Sequence, residues 1–150
     1  MASPAVATRG FTILLVEDDE DHAELVFRCL REQLPHAQVN HVRDGQAALD
    51  YLLRRGDYED PARSPLPELI LLDLRLPLVD GLSVLEEVKR SPELRRVPAV
   101  VLTTSDAPKD LQRAYASHVN SYLVKPMDFE QFSRQVQDLG LYWVGWNRHP

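Results

Sequence analysis

Residues 69–81 of the 150-residue chain have the sequence Leu-Ile-Leu-Leu-Asp-Leu-Arg-Leu-Pro-Leu-Val-Asp-Gly. The first four residues are apolar without interruption, which is typical of a short strand that is covered on both faces of a parallel sheet. Asp73 follows this strand directly, and residues 74–81 have the character of a loop. Apolar residues from Leu82 to Val88 then recur at helical spacing. The segment therefore predicts a buried strand that ends in an aspartate and is followed by a loop and a helix.

Short apolar runs alternate with helical patterns along the rest of the chain as well. The spacing predicts strands at residues 12–16, 38–42, 69–72, 99–103 and 121–124. It predicts helices that begin near residues 20, 44, 82, 105 and 129. Because right-handed crossovers place each connection over a face of the sheet, this alternation implies an α/β domain with a five-stranded parallel sheet and helices on both faces.

Some helical positions carry more specific expectations. Gly56 is expected to end the second helix and Gly140 the fifth, since glycine readily adopts the left-handed conformation that follows many helices. The spacing also predicts which side chains of the last two helices are buried. These are Leu111, Ala114 and Tyr115 in the fourth helix and Phe129, Phe132, Val136 and Leu139 in the fifth.

The composition is that of a soluble globular protein. Hydrophobic residues make up 44% of the chain and charged residues 27%. The formal net charge of -6 opposes non-specific binding to nucleic acid, and no apolar run approaches the roughly 20 residues that span a membrane. Residues 1–10 lack a secretory signal and are interpreted as a flexible leader, and the single cysteine, Cys29, cannot form an internal disulfide. We therefore expect a cytoplasmic protein without direct nucleic-acid or membrane binding.

Reactive side chains occur at the ends of four of the five predicted strands. Glu17 and Asp18 follow the first strand, Asp73 follows the third, Thr103 ends the fourth, and Lys125 follows the fifth. Functional groups gather at the carboxyl ends of parallel strands, so these side chains are expected to meet in one crevice. Crowded carboxylates either take up protons or bind a divalent cation. Oxygen ligands favour a hard ion such as Mg²⁺, which also binds phosphate oxygens.

These residue types suit phosphoryl transfer to Asp73. An ionised carboxylate can attack a phosphoryl donor once a metal ion offsets the charge of the incoming group. The ammonium of Lys125 can pair with the phosphoryl oxygens, and the hydroxyl of Thr103 can donate to one of them. The covalent phosphate then has a partner on the fourth strand that the free carboxylate lacks, and this difference can drive a conformational switch.

Four segments resemble the response-regulator receiver family. They are Ile-Leu-Leu-Val-Glu-Asp-Asp at 13–19, Leu-Leu-Asp-Leu-Arg-Leu-Pro-Leu-Val-Asp-Gly at 71–81, Val-Leu-Thr-Thr-Ser at 101–105 and Tyr-Leu-Val-Lys-Pro at 122–126. Several motifs in the right order are far more specific than any one of them. The resemblance covers about residues 12–139 and implies a flavodoxin-like fold with strand order 2-1-3-4-5 and five helices.

The resemblance also implies which residues accept the phosphoryl group and hold the metal. Asp73 is the phosphoacceptor by this resemblance, and Asp18 binds Mg²⁺ directly. Glu17 binds the ion through water or assists its placement, and the backbone carbonyl of Arg75 completes the ligands from the protein. A family member of this kind is not an enzyme but a phosphoacceptor that slowly dephosphorylates itself.

A further implication concerns the switch. Thr103 resembles the family's switch hydroxyl, and Tyr122 resembles the aromatic residue that changes rotamer when the threonine moves. Lys125 is the expected partner of the phosphoryl group. The peptide between Lys125 and Pro126 is expected to be cis.

A closer likeness is to small single-domain regulators that are paired with bacterial phytochrome kinases. It rests on Asp-Gly-Gln-Ala-Ala-Leu-Asp-Tyr-Leu at 44–52, the proline-rich stretch before the third strand, Asn-Ser-Tyr at 120–122 and Leu-Gly-Leu-Tyr-Trp at 139–143. The likeness implies a histidine kinase partner of the phytochrome type. Output then passes through protein–protein contacts, since few residues follow the receiver domain at 11–139.

Residues 140–150 form a short aromatic extension that contains Trp143 and Trp146. We predict that this extension contributes to a homodimer, because tyrosine and tryptophan are enriched at protein interfaces. The alternative is that Trp143 folds back and covers the surface of its own domain.

Other functions remain open from the sequence. The chain could act as a phosphate sink, or as a receiver-shaped interaction module that is never phosphorylated. It could also be a phosphohydrolase with an aspartyl nucleophile and with Asp18 and Glu20 as paired acids, although His22 occupies the place where that pattern has threonine. The five histidines lack metal-ligand spacing, so packing or surface roles are predicted for them.

Overall fold

Residues 11–148 are described by a computed structural model, in which five parallel strands form one sheet. The strands are β1 (Phe11–Val16), β2 (Ala37–Val42), β3 (Leu69–Leu72), β4 (Ala99–Thr103) and β5 (Ser121–Val124). Their order in the sheet is β2-β1-β3-β4-β5, as the resemblance implied. The predicted strands are confirmed, with β1 and β2 each beginning one residue earlier. The predicted leader at 1–10 lies outside the described residues.

Five helices connect the strands and cover both faces of the sheet. They are α1 (Glu20–Gln33), α2 (Gly45–Leu52), α3 (Gly81–Arg90), α4 (Pro108–Ala116) and α5 (Phe129–Gly140). An aspartate side chain accepts backbone N–H bonds at the start of four of them, and these caps are Asp19, Asp44, Asp80 and Asp128. The helices therefore begin where an N-cap residue meets an apolar helical pattern.

Alternate residues of the central strands pack on opposite faces of the sheet. In β1, Leu14 and Val16 lie in the core beneath α2 and α3, whereas Ile13 and Leu15 lie in the core beneath α1 and α5. The side chains of β3 alternate in the same way, and none is more than 1% exposed. The uninterrupted apolar run at 69–72 therefore reflects a strand that is buried on both faces.

The register of the sheet places the strand ends at one edge. Val16 pairs with Leu72, and Leu72 pairs with Val101. On the far side of β4, Thr103 pairs with Val124. The residues that follow β1, β3 and β5 therefore lie next to one another beyond the carboxyl edge of the sheet.

Helix α2 ends earlier than predicted. The backbone N–H of Arg55 donates to the carbonyl of Asp50, and that of Arg54 donates to the carbonyl of Tyr51. These are the two bonds of a Schellman motif, in which Arg54, with a φ of 54°, takes the left-handed position. Gly56 begins a separate 3₁₀ turn instead. The prediction that Gly56 ends the helix is wrong, because Arg54 already does so.

Gly140 does not end α5. Its φ of -61° and ψ of -45° are helical, and the chain continues into a π-helical turn at Leu141–Trp146. A Cβ atom at Gly140 would lie 2.9 Å from Cδ2 of Leu30 in α1. The expectation of a C-terminal cap is wrong, since the missing side chain instead allows α1 and α5 to pack closely.

The predicted burial of the last two helices is only partly correct. Ala114, Phe132, Val136 and Leu139 are buried, but Leu111, Tyr115 and Phe129 are 39%, 52% and 56% exposed. Helical spacing identifies one face of a helix, but not the width of the strip that neighbouring elements cover. In α4 the buried strip consists of Ala114 alone. Phe129 is the first residue of α5, where the end of the helix is more exposed.

The peptide between Lys125 and Pro126 is trans, in contrast to the expectation from the resemblance. Every other peptide bond among residues 11–148 is also trans. The trans isomer is the intrinsically more stable one before proline, by about 0.5–1 kcal/mol.

Two expectations from the composition can be compared with the structure. Cys29 is a free cysteine that is buried in α1. No helix in the part of the chain that the structure describes combines the length and apolar character needed to cross a membrane.

Candidate functional site

The ammonium of Lys125 lies at the centre of the predicted crevice. Its side chain is 1% exposed, and Nζ donates a hydrogen bond to Oε1 of Glu17. Nζ also lies 3.3 Å from Oδ2 of Asp73 and 3.0 Å from Nδ1 of His22. The structure thus brings together Glu17, Asp73 and Lys125, which follow three different strands, as the sequence predicted.

The carboxylate of Asp73 is held in one orientation. Its Oδ1 atom accepts hydrogen bonds from the backbone N–H groups of Leu74, at 2.7 Å, and Arg75, at 3.4 Å. The other oxygen, Oδ2, faces Lys125. Because Asp73 is 8% exposed, water reaches only a small part of this side chain.

Gly81 allows the loop after β3 to return closely to Asp73. A Cβ atom at Gly81 would lie 2.2 Å from the carbonyl oxygen of Asp73 and 2.7 Å from Cα of Leu74. The backbone N–H of Gly81 donates to the carbonyl of Leu74. Only glycine fits here without displacing the backbone that carries the carboxylate.

Three carboxylates form a cluster that could hold a metal ion. One oxygen each from Glu17, Asp18 and Asp73 lie within 4.8 Å of one another, with Asp18 exposed and the other two buried. Carboxylate oxygens are hard ligands, and a few of them with retained waters suit Mg²⁺ or Mn²⁺. The residues present therefore fit the divalent cation that the sequence predicted.

Burial raises the pKa of Glu17 to about 8. The negative charge of Asp73 adds to this effect, and the ammonium of Lys125 opposes it. When no cation is bound, the crevice thus has one ammonium group for two buried carboxylates. A proton or a cation can supply the difference.

Thr103 and Tyr122, the predicted switch residues, both contact Ser105. Thr103 is fully buried, and its Oγ1 accepts a hydrogen bond from the backbone N–H of Ser105, at 3.3 Å. The hydroxyl of Tyr122 donates to the carbonyl of Ser105, at 2.8 Å, and burial raises the pKa of this tyrosine. A movement at Thr103 can therefore reach Tyr122 through one intervening residue, Ser105, for which the sequence predicted no role in the switch.

The side chain of Arg75 is engaged outside the carboxylate cluster. Its Nη2 atom lies 3.6 Å from Oδ2 of Asp110 in the first turn of α4, and the side chain is largely exposed. Asp110 also accepts a hydrogen bond from Oγ of Ser105, at 2.5 Å. The role of the Arg75 carbonyl in metal binding stays a prediction.

Two histidines contact the site, although the sequence predicted only packing or surface roles for them. His22 lies next to Lys125, and the Nε2 atom of His41 lies 2.7 Å from the carbonyl oxygen of Glu17. The position of His22 in the first turn after the acidic run was a weak signal. No sequence signal marked His41, because its contact depends on the pairing of β2 with β1.

The acid pair of the phosphohydrolase alternative is not formed. The carboxylate of Glu20 pairs with the guanidinium of Arg43, and both side chains are exposed. Glu20 therefore faces the end of β2 rather than joining Asp18 in the crevice.

This fold and this site are those of a known family. Residues 13–137 match the model of the response regulator receiver domain, so the chain belongs to this family. Receiver-domain response regulators are in general not catalytic enzymes, and membership of the family implies in general a histidine kinase as partner.

Similar proteins and solved structures support the same assignment. The chain is 52% identical to the probable methanogenesis regulatory protein FilR2 of Methanothrix harundinacea, over 93% of this chain and 88% of that protein. It is 42% identical to the response regulator Rcp1 of Synechocystis sp., over 88% of each. The Mn²⁺-bound crystal structure of Rcp1 covers 93% of this chain and 99% of its own, with a TM-score of 0.88 and 41% identity.

A phosphorylated relative is equally similar in structure. The crystal structure of the phosphorylated cyanobacterial phytochrome response regulator RcpA has a TM-score of 0.90 and 37% identity. The match covers 95% of this chain and 99% of that one. The predicted likeness to phytochrome response regulators is thus confirmed.

Proposed function

We propose that this response regulator accepts a phosphoryl group on Asp73 from a histidine kinase, in a reaction that requires Mg²⁺. One observation carries the proposal. The buried Asp73 carboxylate has one oxygen bound by backbone N–H groups and the other directed at the Lys125 ammonium, beside Glu17. This is the arrangement that a carboxylate nucleophile and its charge-stabilising partner require.

The chemistry is a transfer between two nucleophiles. A lone pair of Asp73 attacks the phosphorus of a phosphohistidine, the P–N bond breaks, and its electrons remain with the imidazole of the kinase. Lys125 pairs with the phosphoryl oxygens as the acyl phosphate forms. Glu17, Asp18, Asp73 and the Arg75 carbonyl would hold Mg²⁺, which would supply positive charge to offset the negative charge of the phosphoryl group.

The switch that follows uses Thr103 and Tyr122. The Thr103 hydroxyl, which now accepts a bond from Ser105, donates to a phosphoryl oxygen once one is present. The segment that includes Ser105 moves with it, and the hydroxyl of Tyr122 loses its partner there. Slow attack of water on the phosphorus releases inorganic phosphate and restores the carboxylate.

We further propose a phytochrome-type kinase as the donor, a homodimer as the assembly and the cytoplasm as the location. The similarity to RcpA supports the kinase type. Leu141, Tyr142 and Trp146 in the C-terminal extension are exposed, which supports the dimer. Trp143 is half-buried against the core beneath α1 and α5, so it covers the surface of its own domain. The exposed Trp146 is therefore the tryptophan that we assign to the dimer interface.

Incubation with acetyl phosphate and Mg²⁺, followed by mass spectrometry, tests the central proposal. We expect the wild-type protein to gain the mass of one phosphoryl group. Asp73→Asn should remain folded by circular dichroism and gain none, and chelation of Mg²⁺ should abolish the gain in the wild type. An unmodified wild type under these conditions, or an Asp73→Asn variant that labels at the wild-type rate, contradicts the proposal.

Phosphotransfer from a panel of purified histidine kinases tests the proposed partner. We expect phytochrome-type kinases to transfer faster than the others at equal concentration. Equal rates across the panel would argue against a phytochrome partner while leaving phosphorylation of Asp73 intact.

A further inference from the structure

His22 occupies the third hydrogen-bonding position of the Lys125 ammonium. An ammonium group has three N–H donors and no acceptor. The contacts of Nζ are Oε1 of Glu17, Oδ2 of Asp73 and Nδ1 of His22. Because the lysine side chain is 1% exposed, bulk water is a poor substitute for a missing acceptor.

We propose that His22 is a positioning residue for Lys125 and thereby sets the rate at which Asp73 is phosphorylated. This inference rests on the proposed phosphorylation of Asp73. For Nδ1 to accept a bond from an ammonium, the imidazole must be neutral and carry its proton on Nε2. His22 therefore acts on Lys125 as a hydrogen-bond acceptor and has no contact with the phosphoryl donor in this role.

The imidazole ring is held in place by two elements. The backbone N–H of His22 donates to Oδ1 of Asp19, at 3.1 Å, in the first turn of α1. The ring packs edge-on against Phe132 of α5, with centroids 5.5 Å apart. The carboxylate of Asp19 also faces the ring, with Oδ2 3.9 Å from Nδ1. The acceptor atom is thus preorganised towards the ammonium.

Loss of this acceptor should displace the ammonium. Glu17 and Asp73 share the ammonium of Lys125, and the contact of Nζ with Oδ2 of Asp73 is 3.3 Å long. Without His22 the third N–H lacks a partner, and the ammonium is no longer held at its position beside Asp73. A phosphoryl group that arrives at Asp73 then meets a cation that is further away.

A matched pair of variants tests the acceptor. Glutamine and methionine have similar lengths and shapes, but only glutamine offers a carbonyl oxygen. We expect His22→Met to slow phosphorylation by acetyl phosphate about tenfold, as the loss of one hydrogen bond to a charged donor predicts, and His22→Gln to stay within about twofold of the wild type.

Equal rates in the two variants overturn the inference, whether both match the wild type or both are slow, and so does a faster His22→Met. An unlabelled wild type would instead contradict the proposed function. If either variant fails to fold, His22→Asn and His22→Leu form a second matched pair. In the wild type, ¹⁵N spectra of the ring should show the Nε2–H tautomer and an Nδ1 resonance that moves in Lys125→Met. An unmoved Nδ1 resonance also overturns the inference.

Discussion

The Nζ atom of Lys125 lies 3.3 Å from Oδ2 of Asp73, although the two residues are 52 positions apart in the chain. The same ammonium also donates to Glu17, so one positive charge serves two buried carboxylates. Burial, together with the nearby charge of Asp73, raises the pKa of Glu17 to about 8, and the single ammonium of Lys125 only partly opposes this. In the metal-free protein, Glu17 can therefore release its proton when a cation binds.

The stability of the metal-free protein should fall as the pH rises. Glu17 loses its proton near its ordinary pKa of 4.5 in the unfolded chain, but at about 8 in the folded protein. Between these values the folded state binds more protons, so the free energy of unfolding decreases with increasing pH. The Glu17→Gln variant lacks this ionisable group. Between about pH 5 and about pH 8 we expect its free energy of unfolding to decrease less than that of the wild type, by a few kcal/mol.

Urea denaturation in the presence of a chelator measures this difference. Added Mg²⁺ should restore stability to the wild type more strongly at the upper end of the pH range, because the ion replaces the proton. Parallel pH curves for the wild type and Glu17→Gln would show that Glu17 is not the titrating group.

Tyr122→Phe should affect the unphosphorylated protein more than the phosphorylated one. The variant removes the hydrogen bond from the tyrosine hydroxyl to the Ser105 carbonyl, which should cost about 1 kcal/mol of stability. If Tyr122 leaves Ser105 in the switch, this loss should nearly vanish when beryllium fluoride mimics the phosphoryl group. Urea denaturation of both proteins, with and without the mimic, provides the comparison. The same loss in both states would exclude Tyr122 from the switch.

Gly81→Ala should both destabilise the protein and slow its phosphorylation. The new Cβ would meet the backbone of Asp73 and Leu74, which cannot move without displacing the carboxylate. Overpacking of this kind costs about 1–3 kcal/mol, and we expect the upper part of that range. Gly140→Ala is the control, because its Cβ would meet the flexible end of Leu30. It should retain the wild-type labelling rate, and a comparable rate in Gly81→Ala would refute the argument.

The two tryptophans of the C-terminal extension should differ in their effects. Trp143 packs against the core, and we expect Trp143→Ala to lose about 2 kcal/mol of stability. Trp146 is 56% exposed, so Trp146→Ala should leave stability nearly unchanged but raise the dissociation constant of the homodimer at least about tenfold. Denaturation and analytical ultracentrifugation measure the two quantities. Unchanged self-association in Trp146→Ala would remove this residue from the interface.

Local patterns determined most of the fold. The apolar runs at 69–72 and 99–103 predict strands with the observed bounds, because residues buried on both faces of a sheet leave little room for polar side chains. The aspartate caps mark helix starts in the same way, since a capping bond spans only two or three residues. The order of strands and reactive residues was then sufficient to predict that Glu17, Asp73 and Lys125 meet.

Other features were decided by packing between elements that are distant in the chain. Gly140 continues a helix because α1 lies against it, and Leu111 is exposed because the strip that α4 buries is narrow. The contacts of His22 with Lys125 and of His41 with Glu17 arise only when α1, β2 and β5 are assembled. A sequence pattern records which residues lie on one face of an element, whereas the neighbour that each residue meets depends on distances that exist only in the folded molecule.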